Sequence, residues 1–332
     1  MKVWIVIDGG TTNLRVTAVE AGTEHVLGRA SAEGGVRHTA IDGHNGRLKA
    51  LLSDCIAKAL AEAGCGQESV ERCVAYGMIT SGMGLLEVPH LAAPAGIEAL
   101  RRGMQTASFP EAAPFPIEFI PGVRNFAGPV HPGNCAGMDM MRGEETEAVG
   151  LFALLNLREE ALFVLPGSHN KFVRMGADGR ILGCMTSISG EMLDALTHHT
   201  ILSGAVQSGF CTEETYRADR AVQGAGECTE SGLGRAAFAG RILNTLGGED
   251  AASVQSWLLG AVLCEDVKAM RSFMKEGTPA VFVAGKPPLQ RAFLDVMGAM
   301  GLAGAKPVPR ELTARMGLAG ALAIAGAGSE TA

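Results

Sequence analysis

Residues 3–31, VWIVIDGGTTNLRVTAVEAGTEHVLGRAS, decide the fold of this chain. The pattern predicts an apolar strand, a tight polar turn and two further strands, because the residues after the turn alternate with a period of two. The glycine spacing matches neither the Walker sequence nor the dinucleotide-binding sequence, and no helix follows the turn. The stretch therefore predicts a phosphate-binding hairpin rather than a P-loop.

The turn of this hairpin has the residue types that hold phosphate. Its two glycines can adopt positive φ values, which point successive backbone N–H groups at one anion, and the polar residues after them add short donors. Asp8 ends the first strand, where its carboxylate could hold Mg²⁺. The residues assigned to nucleotide binding are Asp8, Gly9, Gly10, Thr11, Thr12 and Asn13. Taken alone, an ordinary glycine-rich β-turn is the simpler interpretation.

A second copy of the pattern favours the phosphate interpretation. Residues 161–187, ALFVLPGSHNKFVRMGADGRILGCMTS, again predict strand, polar turn, strand, turn and strand. Two such units separated by about half the chain indicate an internally duplicated fold. Pro166 stands where the first copy has Asp8, so only the first turn offers a carboxylate for a metal. The residues of the second turn assigned to nucleotide binding are Gly167, Ser168, His169 and Lys171.

The composition indicates a globular protein with a substantial core. The chain has 332 residues, of which 47% are hydrophobic and 19% charged, and this length suits two domains. A net charge of −7 argues against nucleic acid as the main partner. No apolar run approaches the roughly 20 residues that span a bilayer, so we expect a cytoplasmic protein. The eight scattered cysteines show no zinc-type spacing.

The order of predicted elements divides the chain into two α/β domains. Residues 1–158 hold the first hairpin and a stretch rich in proline and glycine that predicts cap and cleft loops. Residues 159–332 hold the second hairpin and several helices. A helix over RGEETEAVGLFALLNL, residues 142–157, is expected to bridge the two halves. A final helix near residues 312–326 is expected to cross back to the first domain.

Phosphoryl transfer needs a phosphate cradle, a metal and one carboxylate that takes the proton of the acceptor hydroxyl. Asp139 lies just before the bridging helix, where the helix N-terminus favours an anion, and we predict it as the general base. Glu145 in the first helical turn is the second candidate for this catalytic role. The simpler interpretations are helix capping for Asp139, and dipole compensation or pairing with Arg142 for Glu145.

Several basic residues could bind the anionic groups of a substrate. Arg15 and Lys171 follow the two turns and could face phosphate, although each could also be an ordinary strand or turn residue. Arg124 and Arg142 could grip a carboxylate, because a guanidinium matches that group as a fork; surface ion pairs are the alternative. We assign Arg15, Arg124 and Arg142 to substrate binding. Gly285, which ends the strand AVFVAG, could let an adenine approach the backbone.

Five segments together resemble the 2-dehydro-3-deoxygalactonokinases of bacterial galactonate breakdown. They are MITSGMG at 78–84, MRGEETEAVG at 141–150, LPGSHNKFV at 165–173, SGEM at 189–192 and VFVAG at 281–285. The resemblance implies the duplicated ribonuclease H-like α/β fold of actin, hexokinase and Hsp70, with a cleft between the domains. It implies transfer of the γ-phosphate of ATP, with Mg²⁺, to the C6 hydroxyl of 2-dehydro-3-deoxy-D-galactonate.

The same resemblance carries roles onto this chain residue by residue. The first phosphate turn maps to residues 8–13, the second to residues 167–171, and the acidic motif to Asp139 and to Arg142–Glu145. Three alternatives remain open: a kinase for another 2-keto-3-deoxy sugar acid, a kinase for a hexose, and an actin-like ATP-binding protein that phosphorylates nothing. The expected partner is a small sugar acid, and either a monomer or a homodimer fits the sequence.

Overall fold

The computed structural model describes residues 1–274 and 279–326. The chain forms two compact units. The first unit contains Met1–Arg158, Met175–Cys184 and the chain from Ala314 onward, and the second contains Glu159–Arg174 and Met185–Thr313. In the described residues, no helix is long and apolar enough to cross a membrane.

The first unit is built around a six-stranded sheet. Its strands up to Arg158 are β1 (Val3–Gly9), β2 (Asn13–Glu20), β3 (Val26–Glu33), β4 (Val70–Tyr76), β5 (Leu91–Ala92), β6 (Gln105–Ala107), β7 (Ile117–Phe119), β8 (Val123–Arg124) and β9 (Met140–Met141). Its helices there are α1 (Arg37–Asp42), α2 (Gly46–Glu62), α3 (Ile97–Gly103) and α4 (Glu144–Leu154). The large sheet has the order β3-β2-β1-β4-β7-β6, and β5, β8 and β9 form a small second sheet.

The register of the large sheet fixes the first turn at one end of β1. Strands β1, β2 and β3 form the antiparallel meander that the alternating pattern predicts, whereas β4 lies parallel to β1 on its other side. Asp8 faces Arg15 on β2 and Tyr76 on β4. Helix α2 contributes an apolar face to the core, formed by Leu48, Leu52, Cys55, Ile56, Ala59 and Leu60. The carboxyl ends of β1 and β4 therefore lie side by side.

The second unit repeats the meander and adds a helical layer. The elements between Glu159 and Thr313 are β10 (Ala161–Leu165), β11 (Asn170–Met175), β12 (Ile181–Ser187), α5 (Ser189–His198), α6 (Ala218–Ser231), α7 (Leu233–Thr245), α8 (Ala251–Met274), β13 (Ala280–Val283), α9 (Leu289–Ala299), β14 (Lys306–Pro307) and α10 (Arg310–Thr313). Of these, Met175 of β11 and Ile181–Cys184 of β12 belong to the first unit. The sheet order is β12-β11-β10-β13-β14. Strand β13 pairs parallel with β10, as β4 does with β1 in the first sheet. The second turn follows β10, the central strand of this sheet.

Helix α11 (Met316–Ala325) belongs to the first unit and packs against α4. The two backbones touch, because a Cβ on Gly150 would lie 1.8 Å from the Met316 oxygen and a Cβ on Gly320 would lie 1.8 Å from the Thr146 oxygen. Helix α4 is thus an internal helix of the first unit. The expectation that it bridges the two halves is wrong, because its buried face is covered by α11.

Candidate active site

The segment that follows β3 holds the first turn in place through three backbone hydrogen bonds on one side of the turn. Three successive carbonyl oxygens accept backbone N–H donors at 3.1, 3.0 and 2.7 Å: Gly10 from Val36, Thr11 from Arg37, and Thr12 from Gly34. A carbonyl and the next N–H point in opposite directions across a planar trans peptide. The amides of Thr11 and Thr12 therefore point away from this segment, and across residues 1–274 and 279–326 neither has a hydrogen-bond acceptor. This geometry suits an anion.

Asp8 lies at the rim of this turn with a counter-ion. Its Oδ2 is 2.8 Å from Arg15 Nη1, and the Asp8 side chain is 26% exposed. Burial raises the pKa of Asp8, while the hydrogen bond and charge of Arg15 lower it. The Arg15 guanidinium, predicted to bind substrate, thus contacts the carboxylate predicted to bind metal.

Helix α4 starts directly against the end of β1. A Cβ on Gly143 would lie 3.2 Å from the Gly77 Cα, and a Cβ on Gly77 would lie 2.9 Å from the Gly9 oxygen. Gly143 and Gly77 have φ values of +117° and +86°, which favour glycine. Three backbone segments therefore meet without intervening side chains, and the first turn of α4 lies next to Asp8.

Glu145 caps this helix rather than facing a substrate. Its two carboxylate oxygens accept the Gly143 N–H at 2.9 and 2.8 Å, and Oε1 also accepts the Thr146 hydroxyl at 3.1 Å. The side chain is fully buried. Burial, followed by the charge of Glu144, raises the pKa of Glu145 to about 7. The predicted catalytic role conflicts with this geometry, because the carboxylate is enclosed and committed to the helix N-terminus.

Glu147 is the acidic residue that our sequence analysis missed. Burial and the charges of Glu144 and Asp8 raise its pKa well above the ordinary range, so these carboxylates lie within electrostatic reach of one another. Glu144 and Glu147 are three residues apart and share a helix face, whereas Glu145 points elsewhere. That spacing in GEETEA is the signal that could have identified Glu147.

Asp139 does not lie at the helix N-terminus, as predicted, because β9 and Gly143 separate it from α4. Its Oδ1 accepts the Met140 N–H at 2.7 Å, and its backbone oxygen accepts the Asn125 N–H at 2.9 Å. The side chain is half-buried. Asp139 is therefore not a capping residue of α4, and its role as a base remains a prediction.

The two predicted carboxylate-binding arginines have different surroundings. Arg142 donates through Nη1 to the Thr80 oxygen at 2.5 Å, and through Nη2 to the Val88 oxygen at 2.9 Å and His90 Nδ1 at 3.2 Å. Both terminal nitrogens are committed, so Arg142 fixes a loop and is not a free fork. In Arg124, by contrast, the buried Nε has no partner among the described residues.

His90 lies near the positive charges of Arg142 and Arg124. Burial and the charges of Arg142 and Arg124 lower the pKa of His90 to about 4. The imidazole is therefore neutral at pH 7, and Nδ1 accepts from Arg142. Arg124 has no carboxylate partner within 4 Å among residues 1–274 and 279–326, so it remains the arginine suited to an incoming carboxylate.

The second turn has more internal contacts than predicted. The Gly167 N–H donates to Asn170 Oδ1 at 2.9 Å, and His169 Nε2 lies 2.7 Å from Glu191 Oε1. Lys171 is 5% exposed, and its ammonium contacts the Thr186 hydroxyl. The prediction that Lys171 faces phosphate conflicts with this burial, whereas Gly167 and Ser168 both line an adjacent cavity.

This cavity, of about 690 Å³, lies wholly in the second unit. Its lining includes Gly167, Ser168, Glu191, Asp194, Phe210, Gln255, Pro288 and Leu289. Its size and its mixture of apolar and polar walls suit a nucleoside. Gly285 lies against Pro166, since a Cβ there would lie 3.2 Å from Pro166 Cδ, and it is not part of the cavity lining; its contact with adenine remains a prediction. Pro288 and Leu289, a few residues after Gly285, line the cavity.

Comparison with known proteins identifies the family. The 2-keto-3-deoxy-galactonokinase family profile matches residues 8–321. The chain belongs to this family. The protein named "Probable 2-dehydro-3-deoxygalactonokinase DgoK1" from Rhizobium meliloti is 31% identical over 206 residues, which are 60% of this chain and 58% of that protein. The alignment thus spans less than two thirds of the curated relative.

Solved structures show the same fold. A Sinorhizobium meliloti protein, itself assigned only provisionally as a 2-dehydro-3-deoxygalactonokinase, superposes with a TM-score of 0.72 at 23% identity over 96% of this chain and 98% of its own. The activator of 2-hydroxyisocaproyl-CoA dehydratase from Clostridium difficile, solved with bound ADPNP, gives 0.50 at 12% identity, over 98% and 96% of the two chains. The predicted galactonokinase-family membership and actin-like fold are confirmed.

The family's implied cofactors can be tested against these residues. Asp8 and Glu147 offer the carboxylate oxygens that Mg²⁺ prefers, and a divalent cation would stabilise the charged forms that burial disfavours in both groups. The amides of Thr11 and Thr12 in the first unit suit phosphate oxygens, and the cavity of the second unit, taken by itself, suits a nucleoside. The residues present therefore fit both groups.

Proposed function

We propose that the protein transfers the γ-phosphate of ATP to the C6 hydroxyl of 2-dehydro-3-deoxy-D-galactonate, giving 2-dehydro-3-deoxy-6-phosphogalactonate and ADP, in galactonate catabolism. The observation that carries this proposal is the braced first turn beside Asp8 and Glu147, in a chain of this kinase family. The amides of Thr11 and Thr12 donate to the terminal phosphates. This preorganised cradle needs no rearrangement when charge develops on the phosphoryl oxygens.

Asp8 and Glu147 would hold Mg²⁺, which neutralises charge on the phosphate oxygens when it is bound. Arg15, whose guanidinium lies 2.8 Å from Asp8, would donate to a phosphate oxygen beside the same carboxylate. The cavity beside Ser168 and Leu289 would hold the nucleoside.

The acceptor side is assigned to the remaining charged residues of the first unit. Arg124 grips the sugar-acid carboxylate, because its guanidinium has no carboxylate partner in the described part of the chain. Asp139 takes the proton of the C6 hydroxyl as its oxygen bonds to the γ-phosphorus. The bond from that phosphorus to the β–γ bridging oxygen breaks, and the electron pair leaves with ADP.

Three alternatives use the same phosphate-binding residues. A different 2-keto-3-deoxy acid or a hexose would use the same phosphate-binding residues, because none of the described contacts assigns a residue to an individual sugar hydroxyl. An ATP-binding protein without transferase activity would need only the two turns. Arg124 has no carboxylate partner in the described part of the chain, and this favours a sugar acid over a plain hexose. We expect this activity in the cytoplasm, with a monomer and a homodimer both consistent with the proposal.

The decisive experiment is a coupled ADP-release screen of the purified protein over aldonates, 2-keto-3-deoxy acids, hexoses and glycerol. The expected result is Mg²⁺-dependent turnover with the highest kcat/KM for 2-dehydro-3-deoxy-D-galactonate, and phosphorus NMR of the product should show a C6 phosphomonoester. Faster turnover of a hexose than of every keto acid would overturn the substrate. ATP turnover independent of any acceptor would support the non-transferase alternative.

A further inference from the structure

A buried carboxylate in the second unit lies outside the assignments above. Asp266, on α8, is 2% exposed. Its Oδ2 accepts Asn170 Nδ2 at 2.6 Å, and its Oδ1 accepts the Ser189 hydroxyl at 2.5 Å. The Ser189 oxygen is also 2.5 Å from that of Ser187. Each carboxylate oxygen of Asp266 therefore has a polar partner from a different segment of the chain.

Both partners of Asp266 belong to the surroundings of the second phosphate turn. Asn170 also accepts the Gly167 N–H through Oδ1, so its amide joins α8 to the turn. Ser189 begins α5, and the Glu191 N–H in the same helical turn donates to the Ser168 oxygen at 3.2 Å. The turn is thus held from two sides, and Asp266 connects them.

The packing leaves little freedom for another arrangement. A Cβ on Gly190 would lie 2.4 Å from the Gly167 oxygen and 2.7 Å from the Ser168 Cα, so the start of α5 lies against the turn. Burial raises the pKa of Asp266, and hydrogen bonds from Ser187, Ser189 and Asn170 oppose that shift. A buried carboxylate is unfavourable unless such partners satisfy it, and deleting it would leave the buried Asn170 amide without its acceptor and Ser189 with Ser187 alone.

We propose that Asp266 is a positioning residue for the second phosphate turn: it orients Asn170 and the start of α5 so that Gly167 and Ser168 present a fixed surface to the nucleotide. The identity of the ligand rests on the proposed kinase function. The orientation of the turn does not, because all of its contacts belong to this chain. Asp266 touches no substrate in this scheme and acts only through Asn170 and Ser189.

Four variants distinguish a role in orienting the second phosphate turn from a general loss of stability of the second unit. Asp266→Ala removes both hydrogen bonds, and Ser189→Ala removes one. Asp266→Asn can retain both, with its oxygen toward Asn170 and its amide toward the Ser189 oxygen. Tyr216→Phe is the matched control, because it removes a hydrogen bond of 3.0 Å from the buried Tyr216 to Asp295 in the same unit.

The first measurement is hydrogen exchange of the ligand-free protein. In Asp266→Ala, amides of residues 167–171 should exchange at least about tenfold faster than in the wild type, because a hydrogen bond of about 1.4 kcal/mol corresponds to a factor of ten. Ser189→Ala should show a smaller increase, and Asp266→Asn and Tyr216→Phe should show little change there. Unchanged exchange in both alanine variants, or an equal increase in Tyr216→Phe, would overturn the proposal.

The second measurement is the kinetics of phosphoryl transfer. Asp266→Ala should raise the KM for ATP about tenfold or more, while the KM for the sugar acid stays within about twofold. Asp266→Asn should restore the KM for ATP; an equally weak asparagine variant would assign the effect to charge and overturn positioning through hydrogen bonds. If Asp266→Ala does not fold, Ser189→Ala and Asp266→Asn decide. A wild type without transferase activity would reject the proposed function, while faster exchange in the alanine variants would still establish the positioning role.

Discussion

Asp8 and Arg15 face each other across the first hairpin, with Asp8 Oδ2 2.8 Å from Arg15 Nη1. The carboxylate assigned to Mg²⁺ therefore has a protein cation beside it when no metal is bound. Arg15 is 60% exposed, so its guanidinium can exchange Asp8 for solvent. This relationship makes the arginine a competitor of the metal.

The change Arg15→Gln should increase the stabilisation of the protein by Mg²⁺. Removing the guanidinium leaves Asp8 next to Glu147 without a counter-ion, so a divalent cation relieves more repulsion than in the wild type. The measurement is the Tm with and without MgCl₂. Arg180→Gln, which removes an exposed ion pair with Asp178, is the control and should leave the Mg²⁺ shift unchanged. An equal shift in all three proteins would contradict competition.

Glu147→Gln should weaken Mg²⁺ binding at the proposed metal site without unfolding the first unit. We expect the half-saturating Mg²⁺ concentration for phosphoryl transfer to rise about tenfold or more, because one of two carboxylates is lost. Glu144→Gln is the matched control on the same helix face, and it should shift the Mg²⁺ dependence less. If the two variants have the same Mg²⁺ titration as the wild type, Glu147 does not contact the metal.

Glu145→Gln should alter the pH dependence of stability and leave turnover within a few-fold of the wild type. Since the pKa of Glu145 is about 7 in the folded state and ordinarily 4.5, the folded state binds more protons between these limits. Wild-type stability from this group is therefore present below about pH 4.5 and lost as the pH rises to about 7, by up to about 3 kcal/mol. Urea unfolding across this range measures it, and the glutamine variant should lack the change. A loss of turnover above about 100-fold would restore Glu145 as the base.

Asp139→Asn should lower kcat by about 10²–10⁴ with little change in the KM for ATP. The amide oxygen can still accept the Met140 N–H, so the local backbone is expected to persist while the proton acceptor is lost. Steady-state kinetics with both substrates test this expectation. Near-normal turnover would remove Asp139 from the chemistry.

Arg124→Gln should raise the KM for the sugar acid about 10–100-fold and leave the KM for ATP unchanged, because charge-assisted hydrogen bonds to the substrate carboxylate are lost. Arg142→Gln provides the contrast. It removes donors to the Thr80 and Val88 oxygens, so it should mainly lower the Tm. If Arg142→Gln alters the sugar-acid KM more than Arg124→Gln does, the two assignments must be exchanged.

Local patterns predicted the hairpins because strand alternation and turn glycines act over a few residues. The pairing of Asp8 with Arg15 was within reach for the same reason: both flank one turn. Long-range contacts were not. The two atoms that bind Arg142 most closely belong to Thr80 and Val88, more than 50 residues earlier, and no local spacing shows that its fork is occupied.

Burial was the second property that the sequence did not reveal. Lys171 follows a polar turn, and its ammonium was expected to reach phosphate, but the strand places it inside the second unit. Asp266 lies within an apolar helix 96 residues after Asn170, so nothing nearby indicated its partner. Glu147 was an exception, since its three-residue spacing from Glu144 was visible and the choice of Glu145 overlooked it.

The contact between α4 and α11 also bears on how the protein is synthesised. Helix α4 presents Glu147 to the first turn, yet the helix that covers its buried face comes from residues 316–325. A ribosome must translate the whole second unit before that cover exists. The nascent first unit therefore exposes the apolar side of α4 until residues 316–325 have been translated.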